Sequence, residues 1–305
     1  MRKGLVVKHT GSNYTVRDAE NAETVICTVR GKLRLSGSKT TNPIAVGDNV
    51  SYEPVENVVT KILPRKNYII RKSTNLSRQT HVLAANIDTA FLIVTLDSPR
   101  TSFEFIDRFL VTAEAYKIPA CLILNKSDLY STDDLRSEVE YFRYVYRSAG
   151  YEISEVSSVT GYGIDKLKEQ ISGKIALFSG NSGVGKSTLI NTVSPGLNLR
   201  TGAVSEAHNK GIHTTTFYEM FEAGGGFIID SPGIKGFGLV DMDKSEIYHF
   251  FPEIFKESKD CKFGMCSHTH EPDCAVKKAV DEGRISHSRY FNYFKMFESD
   301  DGKYR

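Results

Sequence analysis

The order of two short motifs constrains the fold of this 305-residue chain more than any other feature. The segment "NKSD" is typical of a loop that reads a guanine base, and "GNSGVGKS" is typical of a loop that cradles phosphates. In most nucleotide-binding chains of this kind the phosphate loop comes first, whereas here the base loop precedes it. The usual parts are present but have been cut and rejoined. We therefore predict a circularly permuted domain, which a compact fold tolerates because its termini often lie close together.

The phosphate loop has the pattern G-x-x-x-x-G-K-[ST], with an apolar strand pattern before it and a helical pattern after it. Its glycines let backbone N–H groups surround the phosphates, Lys186 places a charge against the β- and γ-phosphates, and the Ser187 hydroxyl can ligate Mg²⁺. The alternative, a plain glycine-rich turn, leaves this context unexplained. The predicted phosphate-binding residues are Gly180, Asn181, Ser182, Gly183, Val184, Gly185, Lys186, Ser187 and Thr188.

Two later segments complete the predicted phosphate and magnesium site. In "DSPG", at the end of an apolar strand, Asp230 can hold Mg²⁺ through water and the Gly233 N–H can meet the γ-phosphate. The segment "NKGIHTTTF" lies between this motif and the phosphate loop, where a threonine typically completes the Mg²⁺ shell. We predict Thr215 as the magnesium ligand beside Ser187, with Thr214 as the alternative.

Asp128 is the residue predicted to recognise guanine. Its carboxylate can accept hydrogen bonds from N1–H and the 2-amino group of guanine, and because adenine offers neither, such a site discriminates by about 10⁴. Asn125 is predicted to tie the loop in place, and in "SSVTG" the Ser158 N–H can donate to guanine O6. The predicted base-binding residues are Asn125, Lys126, Ser127, Asp128, Ser157 and Ser158.

The residue directly after D-x-x-G is Ile234, where Ras-like enzymes place a glutamine that orients the attacking water. Since isoleucine cannot hydrogen-bond to water, another residue does this or intrinsic hydrolysis is slow. His213, beside the switch threonines, is the best candidate for the catalytic residue. The alternative is a histidine that only packs or binds a partner.

A cluster of cysteines and histidines near the end of the chain predicts a metal site. The spacing C-x4-C-x-H-x5-C is formed by Cys261, Cys266, His268 and Cys274. Three thiolates and one imidazole suit a closed, tetrahedral Zn²⁺ site, and such a site stabilises a small segment with little core. Four protein ligands leave no open position, so the predicted single zinc is structural. On spacing alone His270 remains a rival for the fourth position.

The strand and helix patterns predict three domains. Residues 1–72 contain about five short strand patterns and favour an OB-fold β-barrel. Residues 73–240 alternate apolar strands with helical patterns, which is typical of an α/β domain. Residues 241–305 predict a helix over residues 242–258, then the metal cluster, and then two helices broken near Gly283. The predicted fold class is therefore multidomain, with an OB-fold barrel, a circularly permuted P-loop GTPase domain and an α-helical zinc-binding domain.

Charge is unevenly distributed along the chain. Residues 1–72 carry 13 Lys/Arg against 6 Asp/Glu, while the remainder carries 26 against 31. A small basic domain favours a polyanionic partner, although charge alone is equally compatible with a basic domain that has none. The C-terminal segment adds the basic residues Lys277, Lys278, Arg284 and Arg289. With no apolar stretch of about 18 residues and no export signal, we expect a cytoplasmic protein without membrane contact. No feature of the sequence demands more than a monomer, so we expect a monomer.

The motifs together resemble the family of circularly permuted ribosome-biogenesis GTPases called RsgA (YjeQ/YloQ), and the likeness spans nearly the whole chain. This resemblance implies hydrolysis of GTP to GDP and phosphate, stimulated by the small ribosomal subunit, and a role in late maturation of that subunit. It implies GTP/GDP, Mg²⁺ and one structural Zn²⁺ as ligands and ribosomal RNA as a partner. It also implies a catalytic His213 and favours His268 as the fourth zinc ligand. A passive RNA-binding assembly module is the second hypothesis, and Ile234 supports it.

Overall fold

The chain forms two compact units in a computed structural model. The first comprises residues 1–90 and 165–237, and the second comprises residues 91–164 and 238–305. The domain boundaries expected at residues 72 and 240 stay a prediction. The structure describes residues 1–29, 44–72, 80–197, 199, 219–230 and 242–299.

The N-terminal part of the first unit is a closed five-stranded barrel with the hydrogen-bonded order β1-β2-β3-β5-β4. Neighbouring strands are antiparallel except β3 and β5, which pair in parallel and so close the barrel. The barrel expected from the strand patterns is confirmed. Its strands are β1 (Arg2–Thr10), β2 (Asn13–Asp18), β3 (Thr24–Val29), β4 (Asn49–Glu53) and β5 (Val58–Ile62).

Alternation of apolar and polar residues explains the barrel interior. Side chains such as Val6, Val16 and Val50 point inwards and are fully buried, because successive residues of a strand face opposite sides. Tyr52 is also buried, and its hydroxyl donates a hydrogen bond to the buried carboxylate of Asp18. The core therefore contains one polar pair whose groups satisfy each other.

The first unit also contains the strand that leads into the phosphate loop. Here β11 and β13 pair in parallel, and β12 joins β13 as an antiparallel edge strand that the sequence analysis did not predict. A hairpin of β6 and β7 follows the barrel. The remaining elements of this unit are β6 (Tyr68–Lys72), β7 (Thr80–Ala85), α3 (Ile164–Ile171), β11 (Ile175–Gly180), α4 (Lys186–Val193), β12 (Met220–Ala223) and β13 (Gly226–Asp230).

The second unit begins with alternating strands and helices, as the sequence predicts. The strand order is β10-β9-β8, and β9 and β10 pair in parallel. Residues 90–94 of β8 and the end of β9 are fully buried, which is typical of strands covered on both faces. These elements are β8 (Thr89–Val94), α1 (Phe103–Ala115), β9 (Ala120–Leu124), α2 (Asp133–Ser148) and β10 (Glu152–Glu155).

The C-terminal helices pack around their own core, to which Val111 of α1 also contributes. The sequence predicted one helix around residues 242–258, but a 3₁₀ helix over Lys244–Phe250 precedes a separate helix. The break falls at Pro252, which has no N–H to continue the first helix and suits the first turn of the second. The helices are α5 (Pro252–Ser258), α6 (Ala275–Asp281) and α7 (His287–Glu298).

The helices of the described segments are short. The longest, α2, has 16 residues. None of the helices described is both long and apolar enough to cross a membrane.

Candidate nucleotide site and metal centre

The phosphate loop lies between the end of β11 and the start of α4, as its pattern predicts. Gly183 and Gly185 have φ values of 84° and 89°, a left-handed conformation that residues with a side chain rarely adopt. Val184 is fully buried between them and anchors the loop. The loop therefore presents backbone N–H groups at a helix N-terminus, where the helix dipole also favours an anion.

Lys186, at the start of α4, meets Asp230, at the end of β13. In the parallel pairing of β11 and β13, Asp230 stands opposite Phe178, two residues before the loop begins. The Lys186 ammonium forms an ion pair with the Asp230 carboxylate, and their side chains are 14% and 26% exposed. The structure thus brings together the predicted phosphate-binding cation and a predicted magnesium-binding carboxylate.

Several predicted residues lie outside the described part of the chain. These are His213, Thr214, Thr215, Gly233 and Ile234. Their proposed roles in hydrolysis and magnesium binding stay predictions. The basic loop between β3 and β4, at residues 30–43, lies outside it as well.

Asn125 ties the base loop to its surroundings, as expected. It follows β9 and is 1% exposed, and its N–H donates to the Val94 carbonyl at 3.0 Å. Its side-chain oxygen accepts a hydrogen bond of 3.2 Å from the Ser158 hydroxyl, which joins the two predicted base loops. Lys126 is in the left-handed conformation, with φ of 61°, and a short 3₁₀ helix then carries Asp128 on the exposed surface.

The second predicted base loop has a fixed backbone. The Ser157 hydroxyl accepts a hydrogen bond from the Thr160 N–H at 3.0 Å, and the Ser157 N–H donates to the Tyr162 carbonyl at 3.0 Å. Gly163 ends the turn with φ of 72°. A Cβ at this position would lie 2.2 Å from the backbone carbonyl oxygen of Glu155, so only glycine fits. The loop is therefore rigid where the Ser158 N–H is predicted to meet guanine.

Tyr130 supports the base loop, although the sequence analysis did not identify it. Its buried hydroxyl donates to the Asn125 carbonyl at 2.7 Å and accepts from the Leu96 N–H at 3.1 Å. Burial raises the pKa of Tyr130 to about 12, so the hydroxyl stays a donor at neutral pH. No local pattern marks this role, because Leu96 lies 34 residues earlier in the chain.

Replacing Tyr130 by phenylalanine removes both hydrogen bonds and leaves the Leu96 N–H without this acceptor. We expect GDP affinity to fall about 5- to 10-fold, since a buried hydrogen bond contributes about 1 kcal/mol. Titration with GDP by calorimetry measures the change, and Tyr141→Phe, at an exposed position on α2, is the matched control. Equal GDP affinities for the two variants would show that Tyr130 does not order the loop.

The four predicted metal ligands converge in the C-terminal segment. The ligand atoms of Cys261, Cys266, His268 and Cys274 all lie within 4.8 Å of one another. The sulfurs of Cys261 and Cys274 are 3.9 Å apart, and both lie 3.5–3.6 Å from His268 Nδ1. A tetrahedron with zinc–sulfur and zinc–nitrogen bonds of about 2.3 and 2.0 Å has edges of about 3.8 and 3.5 Å. The cluster therefore fits zinc.

The structure also separates the two candidate histidines. His268 is 1% exposed within the cluster, whereas His270 is exposed and outside it. The turn that carries His268 is held by Glu271, whose carboxylate accepts hydrogen bonds from the Ser267 and Thr269 N–H groups. Burial acts to raise the pKa of Glu271, but these donors outweigh it and lower the pKa to about 2.

The expected basic surface of the C-terminal segment is only partly present. Arg289 is 1% exposed and pairs with two carboxylates, so it adds no charge to the surface. Arg284 pairs with Glu257 and Glu282. A long basic side chain such as Arg289 can be buried when its charge is fully paired.

Comparison with known proteins decides the family. The RsgA GTPase family model matches residues 62–240, and the RsgA N-terminal domain model matches residues 3–61. The chain belongs to the RsgA GTPase family. It is therefore a GTP-hydrolysing enzyme by family, and the resemblance drawn from its motifs is confirmed.

Relatives cover the chain from end to end. Small ribosomal subunit biogenesis GTPase RsgA of Bacteroides fragilis (strain YCH46) is 51% identical, covering 99% of both chains. RsgA 2 of Bacteroides thetaiotaomicron is 52% identical, again with 99% of both chains covered. Both names describe GTPases of small ribosomal subunit biogenesis.

Solved structures of this family have the same fold. YjeQ from Thermotoga maritima superposes with a TM-score of 0.80 at 38% identity, covering 97% of both chains. YloQ, described as a circularly permuted GTPase, gives a TM-score of 0.72 at 27% identity, covering 97% of this chain and 94% of the other. The permuted fold predicted from motif order is confirmed.

Proposed function

We propose that this chain binds the small ribosomal subunit and assists its late maturation, hydrolysing GTP to GDP and phosphate with stimulation by the subunit. Identity of about half over the full length to proteins named for that process is the observation that carries the proposal. The uneven charge supports ribosomal RNA as the partner, because a basic small domain suits a polyanion. The proposed molecule acts as a cytoplasmic monomer.

The proposed nucleotide site uses the two sets of loops in different roles. Asp128 accepts the N1–H and 2-amino protons of guanine, with Asn125 and the Ser157–Ser158 loop supporting it. The N–H groups of residues 180–188 and the Lys186 ammonium bind the phosphates. Rigid anchoring of Asn125 and Val184 supports this assignment, since both residues are almost fully buried.

Magnesium is proposed to be held by Ser187 and Thr215, with Asp230 acting through water. When bound, the ion neutralises charge that develops on the phosphates during transfer. The chain's own residues fit this role, because a part-buried carboxylate stands beside the phosphate-binding lysine. Lys186 balances negative charge, while the glycine-rich backbone orients the terminal phosphate.

His213 is proposed to orient the water that attacks the γ-phosphate. Replacing it by alanine is expected to lower subunit-stimulated GTP turnover by about 10²- to 10⁴-fold, the range for losing a positioned acid–base group. GDP affinity is expected to remain within about two-fold of the original, since His213 is assigned to hydrolysis rather than ground-state binding. His270→Ala, at an exposed position outside the metal cluster, is the matched control. An unchanged turnover for His213→Ala contradicts the proposed role.

One structural zinc is proposed at the Cys261, Cys266, His268 and Cys274 cluster. Zinc held by four protein ligands supplies folding energy and no reactive position. The observed edge lengths of the cluster support this ion. The relative placement of α5, α6 and α7 then depends on the metal, because the ligands lie between and beside these helices.

Cosedimentation with purified small subunits tests the proposed partner. We expect binding that differs by at least about ten-fold between GDP and a non-hydrolysable GTP analogue, because the γ-phosphate orders the switch segment in GTPases. Equal binding in both states favours the second hypothesis, a passive RNA-binding module whose nucleotide only stabilises the fold. Ile234 is the feature that supports this alternative.

A further inference from the structure

A buried ionic cluster joins the C-terminal segment to α1. Both oxygens of Asp107 are used, one by Arg289 at 2.7 Å and the other by the Asn292 amide at 2.6 Å. Arg289 also makes two hydrogen bonds to Glu253, at 2.7 and 3.1 Å, and its guanidinium lies 4.6 Å from the Phe251 ring centre. We call Asp107, Arg289 and Asn292 the α1 clasp.

The α1 clasp restricts the position of α7 on α1 more than apolar packing does. Asp107 is fully buried and Arg289 is 1% exposed. A buried charge that shifts away from its partner loses attraction without regaining water, so the cluster holds one register of α7 on α1. Val111, one turn further along α1, is part of the C-terminal core, and Lys295 reaches Glu104 at 3.3 Å. Thus α1, which lies between β8 and β9 in the chain, also packs into the C-terminal core.

The same helix begins directly after the connection from β8. The Thr101 N–H donates to the Thr95 carbonyl at 2.8 Å, and the Thr95 N–H donates to the Thr101 hydroxyl at 3.2 Å. Ser102 then caps the helix by accepting a hydrogen bond from the Phe105 N–H. Hydrogen bonds between Thr95 and Thr101 join the two ends of this connection, directly before the start of α1. The position of the connection therefore depends on the position of the helix.

The last residue of β8 and this connection together hold the predicted guanine loop at three points. The Val94 carbonyl accepts from the Asn125 N–H at 3.0 Å, and the Leu96 N–H donates to the Tyr130 hydroxyl. The Lys126 ammonium donates to the Ser98 carbonyl. Hydrogen bonds, joined by short covalent stretches of backbone, therefore link α7, through α1 and residues 95–101, to the loop that carries Asp128.

We infer that Asp107 and Arg289 are positioning residues for guanine recognition, which act by holding α1 and the connection that orients Lys126 and Asp128. The inference deepens the proposed function and rests on it. The C-terminal segment contributes to base selectivity without touching nucleotide. A partner that displaces α7 from α1 lowers the affinity for guanine nucleotide. By reciprocity, guanine nucleotide lowers the affinity for that partner by the same factor.

The experiment compares GDP with inosine diphosphate, which lacks only the 2-amino group. Their affinity ratio reports how well Asp128 is placed, and a loss of overall stability does not by itself change it. In the zinc-loaded full chain, Asp107→Asn keeps the shape of the clasp and removes its charge. We expect the ratio of GDP to inosine diphosphate affinity to fall about three- to thirty-fold, the range for coupled positions outside a site.

Tyr144→Phe is the matched control. It removes one hydrogen bond of 2.7 Å between α2 and the Gly283 carbonyl, and hence another contact to the C-terminal segment, without involving α1. We expect its ratio to stay within about two-fold. If Asp107→Asn does not fold, Asn292→Ala removes only the amide bond to Asp107 and is expected to shift the ratio in the same direction.

A ratio unchanged in both Asp107→Asn and Asn292→Ala overturns the inference. An equal drop in Tyr144→Phe also overturns it, because any loosening of the C-terminal segment would then suffice. The unaltered chain separates this failure from failure of the proposed function. If it binds GDP and inosine diphosphate equally, guanine reading by Asp128 is itself wrong.

Discussion

Replacing Asp128 by asparagine is expected to change the substrate from GTP to xanthosine triphosphate. A carboxylate accepts both edge protons of guanine, whereas an asparagine amide presents one acceptor and one donor. Against guanine the amide donor faces another donor, and GTP turnover is expected to fall by on the order of 10⁴-fold. Xanthine carries an oxygen in place of the 2-amino group, so the amide pairs with it and restores turnover. Steady-state hydrolysis of both nucleotides measures the switch.

Asp133→Asn is the control for this experiment. Its side chain is 98% exposed at the start of α2, so the variant makes the same charge change five residues away. We expect the control to keep its preference for GTP. If Asp128→Asn hydrolyses GTP at the original rate, the guanine-reading role of Asp128 is wrong; if it hydrolyses neither nucleotide, the substitution has disturbed the loop rather than its specificity.

Zinc content is expected to depend on His268 and to be independent of His270. His268→Ala removes one of the four ligands of a buried cluster. The three remaining thiolates are expected to bind zinc more weakly, so mild chelation removes the ion. Because a structural zinc contributes on the order of 10 kcal/mol to folding, the C-terminal helices are then expected to open. Metal analysis of the purified chain and limited proteolysis of residues 242–299 are the measurements.

His270→Ala provides the matched comparison, since the two histidines are two residues apart and His270 is exposed. We expect this variant to retain about one zinc per chain and the proteolytic pattern of the unaltered chain. The reverse outcome, with zinc lost from His270→Ala and kept by His268→Ala, would contradict the observed cluster and require a different fold of the segment.

Features carried by neighbouring residues could be predicted from the sequence. The apolar runs of β8, β9, β11 and β13 and the helix starts at Ser102 and Thr132 follow from local pattern and capping. The metal cluster could also be predicted, because its ligands lie within a short segment whose spacing reflects the metal's geometry. The order of the base and phosphate motifs was enough to predict the circular permutation.

Features that depend on residues distant in the chain could not be predicted. Arginine is usually a surface residue, so the sequence around Arg289 gives no sign that it is buried. Its partner Asp107, which pairs with its charge in the interior, is 182 positions away. Tyr130 supports the base loop by bridging the Asn125 carbonyl and the Leu96 N–H, and Leu96 lies 34 positions earlier in the chain. By contrast, the break before α5 has a local cause, because Pro252 has no N–H to continue the preceding helix.

The measurement that tests the central claim most directly is multiple-turnover hydrolysis of GTP and ATP, with and without purified small ribosomal subunits. We predict that subunits raise GTP turnover by at least about ten-fold and leave ATP turnover at background, because the role proposed for Asp128 excludes adenine. GTP turnover that stays slow at saturating subunits, while GDP and GTP still bind tightly, would contradict a subunit-stimulated GTPase and leave a passive assembly module.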